Sequence, residues 1–369
     1  MKTQKLLIIL FGLVLGGEAS AKDSYLGIER IVAVGDLHGD YEQYITVLRN
    51  NGLVDEQSDW QGGETHFVQL GDVVDRGPGS LKIIRHLMRL EKQAKRAGGA
   101  VHVLIGNHEV MNIQADLRYV HPGEYSALVT SKSEMRQNNF LNKVYASRLS
   151  LDPTLEEREQ SAIAALKVEF PLGYVEHRKL WEPGQEIARW VAKHNTIVKI
   201  NDSLFLHAGL NPHEELLKLS TINKRVKKEL SRRAVPSSLT NKNAGPLWYR
   251  GLAKNPRQVE LEPLINMLAF YNVRRIVIAH TPTPGLVLSR FDGRVVMIDV
   301  GMSKAYGGAM ANLLIEGDAM MALHRGQRIA LPSNGDFKAY LEAVARLESG
   351  NMGLLKYVES RLQGDSLVN

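Results

Sequence analysis

The amino-acid sequence predicts an α/β protein that opens with parallel strands joined by crossover helices, and three observations carry that reading. First, short apolar runs at residues 31–34, 66–70 and 101–105 read as buried strands. Second, residues 41–50 and 81–96 between them have helical periodicity, so the connections 40–65 and 78–99 are crossovers, right-handed if the strands are parallel. Third, each strand runs into a glycine-bearing polar motif, and the carboxyl edge of an open α/β sheet is where ligands collect.

The elements follow in order. Asp40 is placed to cap the first helix, Ser80 the second, and Gly98-Gly99 stops the second. After Glu109, 97 residues pass before His207, and the part at about 112–195 reads as a helical insertion over the site. Residues 196–200 and 204–206 read as strands around an Asn201-Asp202 turn, a pairing that returns His207 to the same rim. Helices are expected at 213–233 and 258–271, and a strand at 275–279 leads into His280. Hairpins are expected around Asp292-Gly293 and Gly317-Asp318. One closing helix is expected at 337–361, with Asp336 as cap and a weak point at Gly350 and Gly353.

Composition narrows the chemistry. The 369 residues are 44% apolar and 23% charged, ordinary for a globular protein able to bury a sizeable core. There is no cysteine, so disulfides and thiolate metal sites are excluded, and metal ligands must come from His, Asp, Glu and Asn. The net charge of +6 favours phosphorylated partners. Lys224, Arg225, Lys227, Lys228, Arg232 and Arg233 cluster on one expected helix, read as a solvated face; no nucleic-acid partner is expected. Residues 1–21 resemble a cleavable leader, with Lys2 and Lys5 before an apolar stretch at 6–15 and Ala19-Ser20-Ala21 at the cut. That stretch is shorter than the about 20 residues a membrane span needs, so no stable anchor is expected after cleavage. The mature chain, 22–369, is then one domain, periplasmic or secreted.

Five motifs carry the chemistry: Gly35-Asp36-Leu37-His38-Gly39, Gly71-Asp72-Val73-Val74-Asp75-Arg76-Gly77, Gly106-Asn107-His108-Glu109, His207-Ala208-Gly209 and Ala279-His280-Thr281. Phosphoester hydrolysis needs a nucleophile, a clamp for the phosphoryl oxygens and a proton for the leaving group, and two divalent metals supply the first two. Asp72, in the middle motif, is the expected bridging carboxylate. Asp36 and His38 face one ion, and Asn107, His207 and His280 complete the other. Mixed imidazole and carboxylate ligation suits manganese, iron or zinc. His108 is the expected general acid, oriented and kept cationic by Asp75. Arg76 offers a fork for two phosphate oxygens, beside Asn107. Glu109 reads as hydrogen-bonding support. Asp299 and the 301–308 loop read as a plain turn or as site lining. Tyr119, Trp181, Trp190 and Trp248 read as cap or core aromatics.

These five blocks resemble the PPP-type, calcineurin-like metallophosphoesterases. Gly106 to Asn112, Asp116 to Val120 and Gly245 to Gly251 are most similar to the Shewanella-like protein phosphatases. The resemblance implies a central β-sandwich flanked by helices, a binuclear centre, attack by a hydroxide held between the ions, and Arg250 as a second phosphate-binding arginine. It also implies phosphoprotein substrates, with phosphotyrosine favoured. The chain departs from the eukaryotic serine/threonine members at Ala208, in lacking their cysteine-containing stretch, and in its long insertion, so their substrate preference and regulatory docking are not carried over. Two other readings stand beside this one: a dinucleoside polyphosphate hydrolase or phosphodiesterase, and a catalytically silent metal-binding protein.

Overall fold

The protein is described by a computed structural model covering residues 22–231, 238–332 and 337–363. The leader, Arg232, Arg233 and Asp336 lie outside the described residues. The strands are β1 (Ser24–Tyr25), β2 (Arg30–Val34), β3 (His66–Gln69), β4 (Ala100–Val103), β5 (Ile197–Ile200), β6 (Ser203–Leu206), β7 (Arg275–Ile278), β8 (Leu288–Arg290), β9 (Val295–Met297), β10 (Ala311–Glu316), β11 (Ala319–His324) and β12 (Gln327–Ala330). They form two six-stranded mixed sheets, ordered β12-β11-β10-β2-β3-β4 and β1-β5-β6-β7-β9-β8. In the first, β2, β3 and β4 are parallel, as the two crossovers require. In the second, β5 and β6 form the antiparallel hairpin, and β6, β7 and β9 run parallel.

Alternation along the strands builds the layers. Phe205 of β6 joins Val32, Val34, Phe67, Val277 and Val296 in a core shared by both sheets. Its neighbours Leu204 and Leu206 point the other way, into a second core with Leu264, Met267 and Leu268. The result is a β-sandwich whose strand ends carry the five motifs along one rim.

The helices are α1 (Tyr41–Asn50), α2 (Ser80–Arg96), α3 (Asn107–Ile113), α4 (Pro122–Ser126), α5 (Ser133–Leu149), α6 (Glu159–Glu169), α7 (Tyr174–Trp181), α8 (Glu186–Lys193), α9 (Leu219–Leu230), α10 (Gly251–Lys254), α11 (Arg257–Tyr271), α12 (Lys338–Leu347) and α13 (Met352–Leu362). The segment read as a helical insertion carries α4 to α8. Among the described residues, no helix is long and apolar enough to cross a membrane. On α9, Lys224, Arg225 and Lys228 are exposed, while Ile222 and Val226 are buried.

Three local expectations are corrected, and one strand was not expected. Ser80 is the first residue of α2, not its cap; Gly79 holds the cap position without a side-chain bond. The Ser80 hydroxyl is used elsewhere, accepting from the Asp75 backbone N–H (3.2 Å) and donating to Glu124 (2.6 Å). The helix expected from 213 begins at Leu219, because Asn211 draws the His213 N–H into a side-chain turn that competes with helix formation. The closing helix is two helices: the break falls between Leu347 and Met352, where Asn351 caps α13 by accepting from the Leu354 N–H. Finally, β12 is an edge strand without apolar alternation, and periodicity does not reveal it.

Candidate metal centre and catalytic site

Each site residue stands just beyond a strand end or at the head of a helix. Asp36 and His38 follow β2, Asp72, Asp75 and Arg76 follow β3, Asn107 and His108 open α3, His207 follows β6 and His280 follows β7. The first two loops touch backbone to backbone. The Leu37 and His38 N–H groups both donate to the Asp72 carbonyl at 3.0 Å. A Cβ on Gly77 would lie 2.6 Å from the His38 carbonyl oxygen, and one on Gly39 would collide with the Gly77 carbonyl, so only glycine fits at either place. His38, Asp72, Asp75, Arg76 and His280 all have left-handed backbone, with φ of 43°, 53°, 71°, 67° and 62°. Such conformations are sparsely populated for non-glycine residues and gather at functional sites.

Two groups of donor atoms emerge, each with its members within 4.8 Å of one another: His38, Asp72 and His108, and Asp72, His207 and His280. Asp72 belongs to both. Asp36, expected as a ligand, falls in neither group; its Oδ2 is 3.8 Å from His38 Nε2 and its Oδ1 3.7 Å from His207 Nδ1. Asn107 Oδ1 is 2.9 Å from His207 Nε2, which is itself 3.3 Å from Asp72 Oδ2.

The donors fit divalent metals on three counts. His38 and His207 turn Nδ1 to the carbonyls of Val74 (3.1 Å) and Leu70 (2.8 Å), an arrangement that presents Nε2 inward, as metal-ligating histidines do. His280 Nε2 is buried with no hydrogen-bond partner. Burial, together with the Asp299 and Asp72 charges, drives the Asp36 carboxyl well above the usual range, and burial lifts Asp299 to about 6. Buried carboxylates crowded in this way call for a cation.

His108 is held differently. Its Nδ1 lies 2.6 Å from Asp75 Oδ2, and its Nε2 is 3.8 Å from Asp72 Oδ2. Burial pushes this imidazole down, but the Asp72 charge and the Asp75 hydrogen bond and charge outweigh it, and it rises to about 9. Asn112 donates to the other Asp75 oxygen at 2.9 Å. Distance places His108 in a donor group with His38 and Asp72, while its Nδ1 is engaged by the Asp75 carboxylate.

Glu109 supports the centre as the sequence suggested. It accepts from the N–H groups of Asp72 (3.0 Å), Val73 (2.8 Å) and Gly106 (2.8 Å), locking the second motif to the third. Arg250 donates to the His280 carbonyl (2.8 Å) and the Thr281 hydroxyl (3.0 Å), which holds its guanidinium beside the fifth motif. Motif reading left two features open that the structure places at the site. Asp299, just past β9, is buried beside Asp36, and its charge helps raise the Asp36 carboxyl. Tyr119 and Tyr306 bring their rings against Arg76, His108 and His38. The signals in the sequence were the position of Asp299 at a strand end, the glycines around Tyr306, and the Asp116 to Val120 block, in which Tyr119 reads as a cap or core aromatic.

Comparison with known proteins agrees with this geometry. Residues 29–284 match the family model of the calcineurin-like phosphoesterases. An uncharacterized protein of Schizosaccharomyces pombe is 34% identical over 331 residues, covering 85% of this chain and 86% of its own. Shewanella-like protein phosphatase 2 of Arabidopsis thaliana is 30% identical over 295 residues, covering 78% and 74%. Among solved structures, a cold-active protein tyrosine phosphatase of a psychrophilic Shewanella species superposes with a TM-score of 0.65 at 29% identity, covering 84% of this chain and 82% of that one. The chain therefore belongs to the calcineurin-like phosphoesterases, hydrolases of phosphoric esters, and is related within them to the Shewanella-like protein phosphatases.

Proposed function

We propose that the protein is a phosphoprotein phosphatase that favours phosphotyrosine and works with two divalent ions, manganese, iron or zinc. The observation that carries this reading is that one carboxylate, Asp72, belongs to both donor groups and lies beside the His108–Asp75 pair. In this reading Asp36, His38 and Asp72 hold one ion, and Asp72, Asn107, His207 and His280 hold the other. When bound, the ions supply an attacking hydroxide at neutral pH and neutralise charge on the phosphoryl oxygens. The remaining work belongs to side chains. Arg76, Arg250 and the Asn107 amide bind the phosphate oxygens and aim the ester bond. His108 gives its Nε2 proton to the departing oxygen, while Asp75 fixes the ring and stabilises its charge before transfer. Glu109 and Asn112 hold Asp72 and Asp75 in place.

The phosphotyrosine preference draws support from the tyrosine phosphatase named among the structural neighbours. The decisive assay gives the mature chain, loaded in turn with manganese, zinc and iron, matched phosphotyrosine and phosphoserine peptides and diadenosine tetraphosphate. Faster turnover of the phosphotyrosine peptide is expected. Turnover of the dinucleotide alone would move the substrate to nucleotides, and metal binding without turnover of any of them would remove the enzymatic reading. We extend the proposal to export, on the strength of the leader pattern at 1–21: N-terminal sequencing of protein from cell fractions should find a periplasmic or secreted chain beginning at Lys22.

A further inference from the structure

Arg76 is a cation without an anion. Among the described residues no carboxylate pairs with it, and its Nε is buried without a hydrogen-bond partner. Aromatic rings stand where an acid would. The guanidinium carbon lies 3.9 Å from the centre of the Tyr119 ring and 5.7 Å from that of Tyr306. Ring faces hold a guanidinium without neutralising it, so its full charge stays available to a phosphate. The Arg76 backbone N–H also donates to the Tyr119 carbonyl at 2.9 Å, so one residue fixes both ends of this arginine.

The two tyrosines touch different histidines of the site. Tyr119 lies 5.1 Å from the His108 ring at 35°, on the side of the proton donor. Tyr306 stacks on His38 at 4.9 Å and 29°, on the side of the metal ligands. Tyr306 is nonetheless 39% exposed, unusual for an aromatic ring so close to a buried centre. Its loop is anchored: the Lys304 N–H donates to Asp40 at 2.9 Å, and the Gln43 amide donates to the Gly308 carbonyl at 3.1 Å. A fixed aromatic surface at the mouth of a phosphate site offers stacking to a flat partner at little cost in ordering.

We propose that Tyr119 and Tyr306 form an aromatic clamp: Tyr119 positions Arg76 for the phosphate, and Tyr306 selects aryl over alkyl phosphomonoesters by stacking on the ring of the leaving group. This rests on the reading of Arg76 as a phosphate ligand. It assigns positioning and specificity to two residues 187 positions apart that no single motif contains.

The test measures kcat and KM of metal-loaded wild type, Y306A, Y306L, Y306F, Y119A and Y119F on phenyl phosphate and glycerol 2-phosphate, then on matched phosphotyrosine and phosphoserine peptides. Phenylphosphonate and methylphosphonate serve as competitive inhibitors, which reads binding apart from turnover, and thermal melts show that each variant is folded. Y306A and Y306L should lower the aryl-to-alkyl ratio of kcat/KM by about two- to tenfold and weaken phenylphosphonate by a similar factor, with Y306F keeping both. Y119A should raise KM for aryl and alkyl substrates alike with little change in kcat, and Y119F should restore it. Equal losses on both classes for Y306A and Y306L, or failure of Y306F to rescue, would overturn the role of Tyr306. A fall in kcat at constant KM for Y119A would overturn that of Tyr119. The small substrates keep this test separate from the phosphoprotein reading: if neither peptide is turned over, that reading fails, while the aryl-to-alkyl ratio still decides the clamp.

Discussion

The loop after β2 and the head of α3 each deliver a histidine to the same centre, and the two rings meet edge to face 4.8 Å apart. Their chemistry diverges. The Nδ1 of His38 faces the Val74 carbonyl, and burial lowers this imidazole to about 4, leaving a neutral ring fit to ligate. The Nδ1 of His108 faces the Asp75 carboxylate, and the surrounding anions overcome burial and raise it to about 9. Both rings are almost fully shielded from water. The partner on the far nitrogen, more than depth, therefore separates the two imidazoles, and in the proposed function it divides a ligand from an acid.

That contrast can be broken at its shared point. Asp72 serves both sides, so Asp72→Asn should cost more than about 100-fold in turnover of p-nitrophenyl phosphate, together with bound metal. Metal analysis of the purified variant beside its kinetics checks this, and full metal occupancy with wild-type turnover would refute the ligand assignment. The next effect comes from making one side resemble the other. Asp75→Asn gives His108 a neutral partner, as His38 already has. With His108→Asn as the control, both should lose about 100- to 10,000-fold on alkyl phosphates and much less on p-nitrophenyl phosphate, whose leaving group needs no proton. Equal losses on the two esters would count against an acid role.

A smaller effect is expected behind the ligands. Glu109→Gln replaces an acceptor of three backbone N–H groups with an amide that can turn only one oxygen toward them. Metal affinity should fall about 10- to 100-fold, measured by competition with a chelator. The mildest effect concerns Glu124, which reaches Asp75 through Ser80 from α4. Burial lifts the Glu124 carboxyl to about 8, against an ordinary value near 4.5. The folded state therefore holds a proton that the unfolded state gives up, and the associated stability is complete below about pH 4.5 and is lost as pH climbs through about 8. Glu124→Gln has no proton to lose, so its melting temperature should gain on wild type between pH 5 and 8; parallel melting curves would place the proton elsewhere.

The gathering of Asp36, His38, Asp72, Asn107, His207 and His280 was legible because each sits in a short motif at a strand end, where local spacing already sets the direction of the side chain. His207 and His280 are far from Asp36 in sequence, yet each follows an apolar run whose pairing carries it to the rim. The support given by Glu109 was legible for the same reason, three residues from Gly106. The contacts of Tyr119 and Tyr306 were not: Tyr119 stands in the Asp116 to Val120 block but reads there as a cap or core aromatic, and the position of both rings depends on how two separate loops close over Arg76. Asp299 was half-legible: a polar residue past a strand, with nothing local to say that it would meet Asp36. Helix ends failed where side chains competed with backbone. Asn211 held back the start of α9, Asn351 opened a new helix at the weak point expected near Gly350, and Ser80 exchanged a capping role for a bond to Glu124.

The contact between Gly39 and Gly77 has a further consequence. Because no side chain fits at either position, the first two ligand loops cannot slide or spread without parting from each other, and they move as a single block. Variation that retunes which ester is accepted has little room there. Under the proposed clamp it falls instead to the turn around Tyr306, which reaches the block from outside. A lineage could thus exchange clients by rewriting a few rim positions while its inorganic heart stays as it is.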